Sequence, residues 1–177
     1  MARRRFPGLD FRIGTVECLP METGSVKGYR AERLYQHLTT PAAGLAEANR
    51  VLAPGGRIVI VDLDYDTVVL DAGDQHTTRT MIRALSDSIV SRWIGRQLRG
   101  LLLKAGFSEV EMEVRTQVYT VEAEAAPVLG NFVQAALASG AISGPNADVW
   151  LTDLKQRGER GEFFFARPVF LASGRKK

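Results

Sequence analysis

The pattern of hydrophobic and polar positions is clearest in residues 52–66 (LAPGGRIVIVDLDYD), where a turn, an apolar run and a polar cluster follow one another. The Pro-Gly-Gly of residues 54–56 ends the segment before it. Residues 57–61 are apolar at nearly every position, which is typical of a strand covered on both faces in a parallel sheet. Three aspartates follow, at Asp62, Asp64 and Asp66. Ligands of open α/β sheets bind beyond the carboxyl ends of the strands, so the pattern predicts a site here, where two of these carboxylates either face a substrate or form a solvated turn.

Apolar residues at helical spacing predict helices over residues 41–52, 74–92, 94–104, 121–138 and 146–157. Thr40 is the expected N-cap of the first helix and Asn146 of the last, and Gly106 is the expected glycine after the third. The second and third helices form a predicted helical insertion over the sheet. Helix, tight turn and strand in residues 41–61 make half of a βαβ unit, which indicates an α/β fold.

Alternation of apolar and polar residues predicts a strand with one wet face over residues 109–120 and another strand over residues 162–173. Pro168 predicts a bulge or a sheet edge in the last strand. Residues 26–31 are a poor strand by propensity because Lys27 and Gly28 interrupt them. Residues 11–14 could form a very short strand, and residues 15–25 read as a loop.

Composition narrows the class of protein. A chain of 177 residues, 45% hydrophobic and 24% charged, is expected to fold as one domain, residues 1–177. No apolar run reaches the roughly 18 residues of a membrane span, so a cytoplasmic protein is expected. Cys18 is the only cysteine, which excludes an internal disulfide, and no metal site is predicted. The net charge of +3 comes largely from basic clusters at residues 3–5 and 175–177, which are typical of solvated tails and make nucleic-acid binding the weakest hypothesis.

Three stretches carry a family resemblance: FRIGTVECLP (residues 11–20), RAERLYQHL (residues 30–38) and LAEANRVLAPGGRIVIVD (residues 45–62). The chain resembles the C-terminal two-thirds of a class I S-adenosylmethionine-dependent methyltransferase, of the small-molecule type related to ubiquinone and menaquinone biosynthesis. The resemblance implies a partial Rossmann-like methyltransferase sheet made of the equivalents of strands three to seven. It also implies that the first two strand–helix units, roughly 60 residues, are missing.

The resemblance implies S-adenosylmethionine as the cofactor. By this resemblance, the positions of the chain that correspond to the family's cofactor-contacting residues are Gly14, Thr15, Val16, Arg30 and Ala31. The family's glycine-rich loop after strand one has no counterpart, since Gly55 and Gly56 end a helix instead of opening one. Thr15 lies in the stretch where the family usually has an aspartate, and a threonine hydroxyl gives up the charge-assisted hydrogen bond that a carboxylate supplies. His37 matches a position where related enzymes often keep a histidine, and it could act as a base, although a histidine bonded locally at a helix start is the other interpretation.

Removal of strands one and two would leave an open edge on strand four and leave residues 1–25 loosely held or repacked. An open edge invites pairing with another chain, so a homodimer or a complementing chain is an expected partner. Residues 67–106 are the expected substrate lid. The sequence thus supports a small-molecule methyltransferase that needs its missing half from a partner, a swapped copy or upstream sequence, and that is inactive as a lone chain. The alternative hypothesis is a non-catalytic remnant that serves as a binding or dimerisation module.

Overall fold

The protein is described by a computed structural model that covers residues 2–177. Met1, which belongs to the predicted ranges 1–177 and 1–25, lies outside the described residues, as does the side chain of Arg3 in the basic cluster. The strands are β1 (Val26–Glu32), β2 (Leu52–Leu63), β3 (Val69–Leu70), β4 (Phe107–Tyr119) and β5 (Phe165–Lys176). The helices are α1 (Ala2–Arg5), α2 (Pro41–Val51), α3 (Gln75–Ser88), α4 (Ile94–Lys104), α5 (Glu122–Ala138) and α6 (Gly144–Glu159). Two 3₁₀ turns, Tyr35–His37 and Tyr65–Thr67, follow β1 and β2.

The five strands form one sheet in which β1 pairs with β2 in parallel, β2 with β5 antiparallel, and β5 with β4 antiparallel. The short β3 also pairs with β5, next to the end of β2. Among the described residues, β1 has no strand on its other side. The predicted α/β class with a Rossmann-like methyltransferase sheet is confirmed, and β1 is an edge strand.

The Pro-Gly-Gly segment lies inside β2 instead of before it. Val26 of β1 pairs with Leu52, whereas Gly28 pairs with Arg57, so residues 53–56 bulge out of the ladder. Gly55 has a φ of 75°, which an L side chain rarely adopts. The predicted strand over residues 57–61 is therefore the middle of a longer strand.

Two segments among the first 32 residues differ from their local sequence preferences. Residues 26–32 form a strand despite their low propensity, with a register shift between Val26 and Gly28, because parallel pairing with β2 supplies the hydrogen bonds. Residues 11–14 form no strand, and the only pairing between residues 6 and 25 is an isolated bridge from Thr15 to Cys18.

Residues 19–24 pack against α2 through polar contacts. The Leu19 N–H donates to Glu47 Oε1 at 2.7 Å, and Arg50 Nη2 donates to the Met21 carbonyl at 2.9 Å. The Gly24 N–H donates to the Arg50 carbonyl at 2.9 Å. The Arg50 guanidinium and then the Leu19 N–H lower the pKa of Glu47 to about 2. Charge and backbone hydrogen bonds thus hold this segment, which the sequence predicts to be a loop, against α2.

Helix ends differ from the predictions in their caps. The N-cap of α6 is Ser143, whose side chain accepts from the Asn146 N–H at 3.4 Å, so Asn146 is not the cap. Thr40 precedes α2 but makes no side-chain capping bond. Gly106 follows α4 with a φ of 87°, as expected of a glycine after a helix end. Among residues 2–177, no helix is long and apolar enough to cross a bilayer.

The buried apolar residues form two clusters. In the first, α2 and α4 pack on one face of β1, β2 and β5, around Leu45, Ile58, Ile60, Leu98 and Ala172. In the second, α3, α5 and α6 pack around Met81, Phe132, Trp150, Phe163 and Phe165. Side chains alternate along strands, so Val59, Val61 and Leu171 lie on the face opposite Ile58, Ile60 and Ala172, and they stay half-buried. This second face of the central sheet is less completely covered than the first.

The last strand is central instead of marginal. Pro168 of β5 lies opposite Thr116 of β4, at the level where β2 has ended and β3 has not begun. The sheet edge that Pro168 predicts is therefore limited to this one level of β5. The C-terminal basic residues are also not a solvated tail, since Arg175 pairs with Glu109 at 2.9 Å and Lys176 Nζ donates to the Leu52 carbonyl at 2.7 Å.

The start of α4 approaches the sheet so closely that it requires a glycine. A Cβ at Gly95 would lie 2.7 Å from Cδ2 of Phe170 on β5 and 3.0 Å from Cβ of Asp64. Gly100, on the same helix, has no such neighbour within 4 Å and is exposed.

Gly95→Ala is expected to lower the free energy of unfolding by about 1–2 kcal/mol, since overpacking costs more than alanine gains in helix propensity. Gly100→Ala, the matched control, is expected to raise it by about 0.5–1 kcal/mol. Urea unfolding of the two variants and the parent chain measures both changes. Equal stabilisation by the two alanines would contradict the close contact between α4 and β5.

Candidate functional site

The candidate site lies where β1 and β2 end side by side. Parallel strands present their carboxyl ends at one sheet edge, and here those ends run into the two 3₁₀ turns. The first turn carries Gln36 and His37, and the second carries Tyr65 and Asp66. The polar cluster that the sequence predicts at this edge is therefore present, but its members have different surroundings.

Asp62 is fully buried under the first 3₁₀ turn. Its Oδ1 accepts from the Leu63 N–H at 3.1 Å and its Oδ2 from the Gln36 N–H at 3.3 Å. Burial raises the pKa of Asp62, and these backbone donors oppose that rise only in part. The carboxyl group thus fixes the turn that carries His37, and it is not a solvated turn residue.

Gln36 links the two turns through its side-chain amide. Its Oε1 accepts from the Tyr65 hydroxyl at 3.2 Å, and its Nε2 lies 2.9 Å from His37 Nε2. An amide nitrogen only donates, so His37 Nε2 is the acceptor in this arrangement and the ring proton is on Nδ1. The His37 side chain is exposed, so its ring can reach a ligand at this edge. To take a proton at Nε2, the imidazole has to exchange the Gln36 contact for the ligand.

Asp64 and Asp66 belong to a second group of contacts, which fastens α4 to the end of β2. Asp64 is buried, and Arg96 binds it with Nε and with Nη2, the latter 2.7 Å from Oδ1. Asp66 accepts from the Ser86 hydroxyl and from Trp93 Nε1, each at 2.6 Å. These donors, with Ser86 first, lower the pKa of Asp66. Only Asp66 of the three aspartates is exposed, so the interpretation as a solvated turn fails for the other two.

The five residues that the resemblance assigns to the cofactor do not converge on one open cradle. A Cβ at Gly14 would lie 2.6 Å from Pro20 Cδ, so the space beside this glycine is filled by its own loop. Thr15 bridges Cys18, and Val16 packs into the cluster beneath α2. Ala31 is buried in the sheet, and Arg30 pairs with Glu32 at 2.5 Å.

These surroundings do not fit S-adenosylmethionine as a complete site. The Thr15 carbonyl accepts from the Cys18 N–H within its own loop at 3.2 Å, and the Arg30 guanidinium is bonded to Glu32 within its own strand. Val16, Tyr35 and Leu38 do approach one another around Gly44, so the loop and the end of β1 are neighbours. Within the described part of the chain, three or more His, Cys, Asp or Glu side chains nowhere gather as ligands for one metal ion.

Sequence reasoning missed the residues that organise this edge from other elements. Gln36 stands next to the predicted His37 and has no motif of its own. Trp93 and Arg96 lie at the start of α4, 27 and 32 positions from their aspartate partners. A tryptophan and an arginine at the exposed start of a helix were the only signal, and it is a weak one.

The comparisons with known proteins agree with this fold. A family model described as "Methyltransferase domain" matches residues 1–60. An uncharacterised 37.1 kDa protein in transposon Tn4556 of Streptomyces fradiae is 36% identical over 176 residues. The match takes in 96% of this chain and 50% of that protein, so the chain spans about half the length of this curated relative.

Solved structures with the same fold are distant in sequence. A candidate methyltransferase from Bacillus halodurans has a TM-score of 0.59 at 16% identity, with 99% of this chain and 84% of that chain covered. A SAM-dependent methyltransferase from Thermotoga maritima has a TM-score of 0.55 at 19% identity, with 99% and 67% covered. The [4+2]-cyclase SpnF has a TM-score of 0.52 at 19% identity, with 99% and 59% covered.

The sheet order and the polar edge define a Rossmann-like α/β protein of the methyltransferase type. The match to that domain model over residues 1–60 and the fold shared with the solved structures make this chain similar to S-adenosylmethionine-dependent methyltransferases. A shared fold does not fix the activity, which depends on the site.

The buried Asp62 makes stability depend on pH in a defined direction. A carboxyl group whose pKa is raised on folding contributes its full stability below the unfolded value near pH 4, and that contribution is lost as the pH rises through the folded value. The unfolding free energy of the parent chain minus that of Asp62→Asn should therefore fall as the pH rises above about 4, the unfolded value. Urea unfolding at several pH values measures this difference, and an increase with pH would contradict the raised pKa.

Proposed function

We propose that this chain supplies the acceptor side of a methyltransferase that uses S-adenosylmethionine and acts on a small molecule. The donor side would come from strands that pair with the open edge of β1. The observation that carries the proposal is the strand order β1-β2-β5-β4 with an antiparallel β5 and an unpaired outer edge on β1. Polar side chains gather at the carboxyl ends of the two parallel strands of this sheet, which is where such sheets bind ligands.

The open edge has unpaired backbone groups that could extend the sheet. The Arg33 N–H donates to the Val61 carbonyl, so alternate residues of β1 face β2. Arg30 and Glu32 therefore direct their backbone N–H and C=O groups away from β2, toward the open side. A sheet extended at this edge would bring new strand ends beside His37. The half-length match to the S. fradiae protein supports a longer polypeptide as the source of such strands.

His37 is the proposed base for the acceptor. Its ring is exposed, its Nε2 is unprotonated in the observed hydrogen bond, and Gln36 and Asp62 hold the turn that carries it. Methyl transfer needs the nucleophile to be positioned in line with the methyl group, and removal of the proton from a hydroxyl or amine makes the nucleophile stronger. Gly14, Thr15, Val16, Arg30 and Ala31 would border the donor only when the added strands complete the cradle.

The second candidate function is a non-catalytic binding or dimerisation module. The same open edge supports it, because two copies could pair there without any donor site. One fold can serve several chemistries, and a [4+2]-cyclase also has this fold.

Donor binding distinguishes the two functions. Calorimetry with S-adenosylmethionine is expected to give no binding to this chain alone at about 1 mM ligand. A fusion of this chain to the half of the S. fradiae protein outside the match is expected to bind tighter than about 0.1 mM, roughly −5.5 kcal/mol. Binding by the lone chain at that affinity would contradict the proposed division, and no binding by the folded fusion would favour the non-catalytic module.

The edge itself is tested by a proline substitution. Arg30→Pro removes an N–H that faces away from β2, so the β1–β2 ladder keeps its bonds while the added strand loses a donor. Arg30→Ala is the matched control, because it removes the same side chain and retains the N–H. Because Arg30 would also border the donor, alanine can weaken donor binding by the fusion through loss of the side chain, and proline should weaken it by about a further tenfold or more through loss of the N–H. Equal losses in both variants would locate the effect in the arginine side chain instead.

A further inference from the structure

A second cleft lies beside the end of β2, between α3 and the segment that leads into α4. Its volume is about 380 Å³, and Asp66, Arg79, Ile82 and Trp93 line it. The Tyr65 N–H donates to the Arg92 carbonyl and the Ser91 N–H to the Gln36 carbonyl, so this cleft and the His37 turn share one supporting segment. Residues 91 and 92 thus contact both the turn that carries His37 and the loop that carries Asp66.

The cleft carries one positive charge that the described residues do not neutralise. Arg92 pairs with Asp87 at 2.6 Å, and Arg83 reaches the same carboxylate at 3.7 Å. Asp66 has its oxygens occupied by Ser86 and Trp93. Among the side chains that the structure describes, none forms a hydrogen bond or ion pair with the guanidinium of Arg79. A guanidinium has a forked set of donors that matches a carboxylate, so the cleft is suited to a small anion.

The rest of the lining is apolar and flat. Val68 and Ile82 are half-buried along the wall, and Trp93 is 40% exposed. The indole is held in place by its N–H bond to Asp66 and by the Arg92 guanidinium, which lies 4.6 Å from the ring centroid. A ring held in this way offers a preformed surface on which an aromatic ligand can pack.

We propose that this cleft binds the methyl acceptor as a small aromatic carboxylate. Its carboxylate pairs with Arg79, and its ring lies against Trp93 and Ile82. The volume is at the low end of the roughly 300–1,000 Å³ of small-molecule sites, so a ligand of one or two rings fits. The charged side chains that line the cleft, Arg79, Arg83 and Arg92 with Asp66 and Asp87, carry a net charge of +1, which favours a carboxylate over a phosphate dianion. The role of this ligand as methyl acceptor rests on the proposed function, whereas the binding of an aromatic carboxylate in the cleft does not.

The test measures the binding of the probe 2-naphthoate to the full chain by calorimetry and by tryptophan fluorescence. Saturable binding is expected, with the fluorescence change coming from Trp93, because Trp150 is only 3% exposed. Arg79→Gln should weaken binding by about five- to tenfold, the loss of one partly exposed charge-assisted hydrogen bond. Arg99→Gln, an exposed arginine of α4 outside the cleft, should change it by less than about twofold. Trp93→Phe should remove the fluorescence signal while calorimetry still detects the probe.

Four outcomes would overturn the proposal. The first is that neutral 2-naphthalenemethanol binds as tightly as 2-naphthoate. The second is that Arg79→Gln binds 2-naphthoate like the parent, and the third is that 2-naphthyl phosphate binds about tenfold tighter than the carboxylate. An absence of binding at about 5 mM 2-naphthoate would also overturn it. Failure of the donor-binding experiment leaves all these results unaffected, because none of them involves S-adenosylmethionine.

Discussion

The antiparallel pairing of β5 is the constraint on which the rest of the structure depends. β5 binds β2 along one side and β4 along the other, and β3 adds to it beyond the end of β2. Phe170 of this strand lies against Gly95, and that contact seats the start of α4 on the sheet. Through α4 the strand positions Arg96 at Asp64 and Trp93 at Asp66. The loop after β2 therefore takes its shape from a strand at the other end of the chain.

Much of the fold could be predicted from periodicity and glycine. The helix over residues 94–104 and its following Gly106 were predictable because both signals are local. β1 was underestimated because Lys27 and Gly28 have low strand propensity, whereas its stability comes from pairing with β2, which propensity does not contain. The cap of α6 was misplaced because serine and asparagine are both good caps, and only the backbone decides between Ser143 and Asn146.

The position of the site was predictable and its contacts were not. A buried run followed by Asp62, Asp64 and Asp66 indicates a strand end with polar side chains. The sequence does not say which carboxylate is buried, because that depends on Arg96, 32 positions further along, and on a 3₁₀ turn after another strand. The same limit applies to the cleft at Arg79. The sequence does not say which of the neighbouring arginines has a carboxylate partner, because that depends on contacts in the folded chain.

Pro168 has a consequence for where the loop begins. The backbone N–H and C=O groups of β5 point alternately to its two sides. Phe170 and the other even-numbered residues face β2, so the backbone of residue 168 faces the gap between β2 and β3. A proline there offers no amide proton to a neighbouring strand. The residue that follows Leu63 therefore has no amide donor opposite it, and the chain leaves the ladder at Asp64. One missing proton on a distant strand thus sets the boundary between the rigid scaffold and the ligand-facing loop.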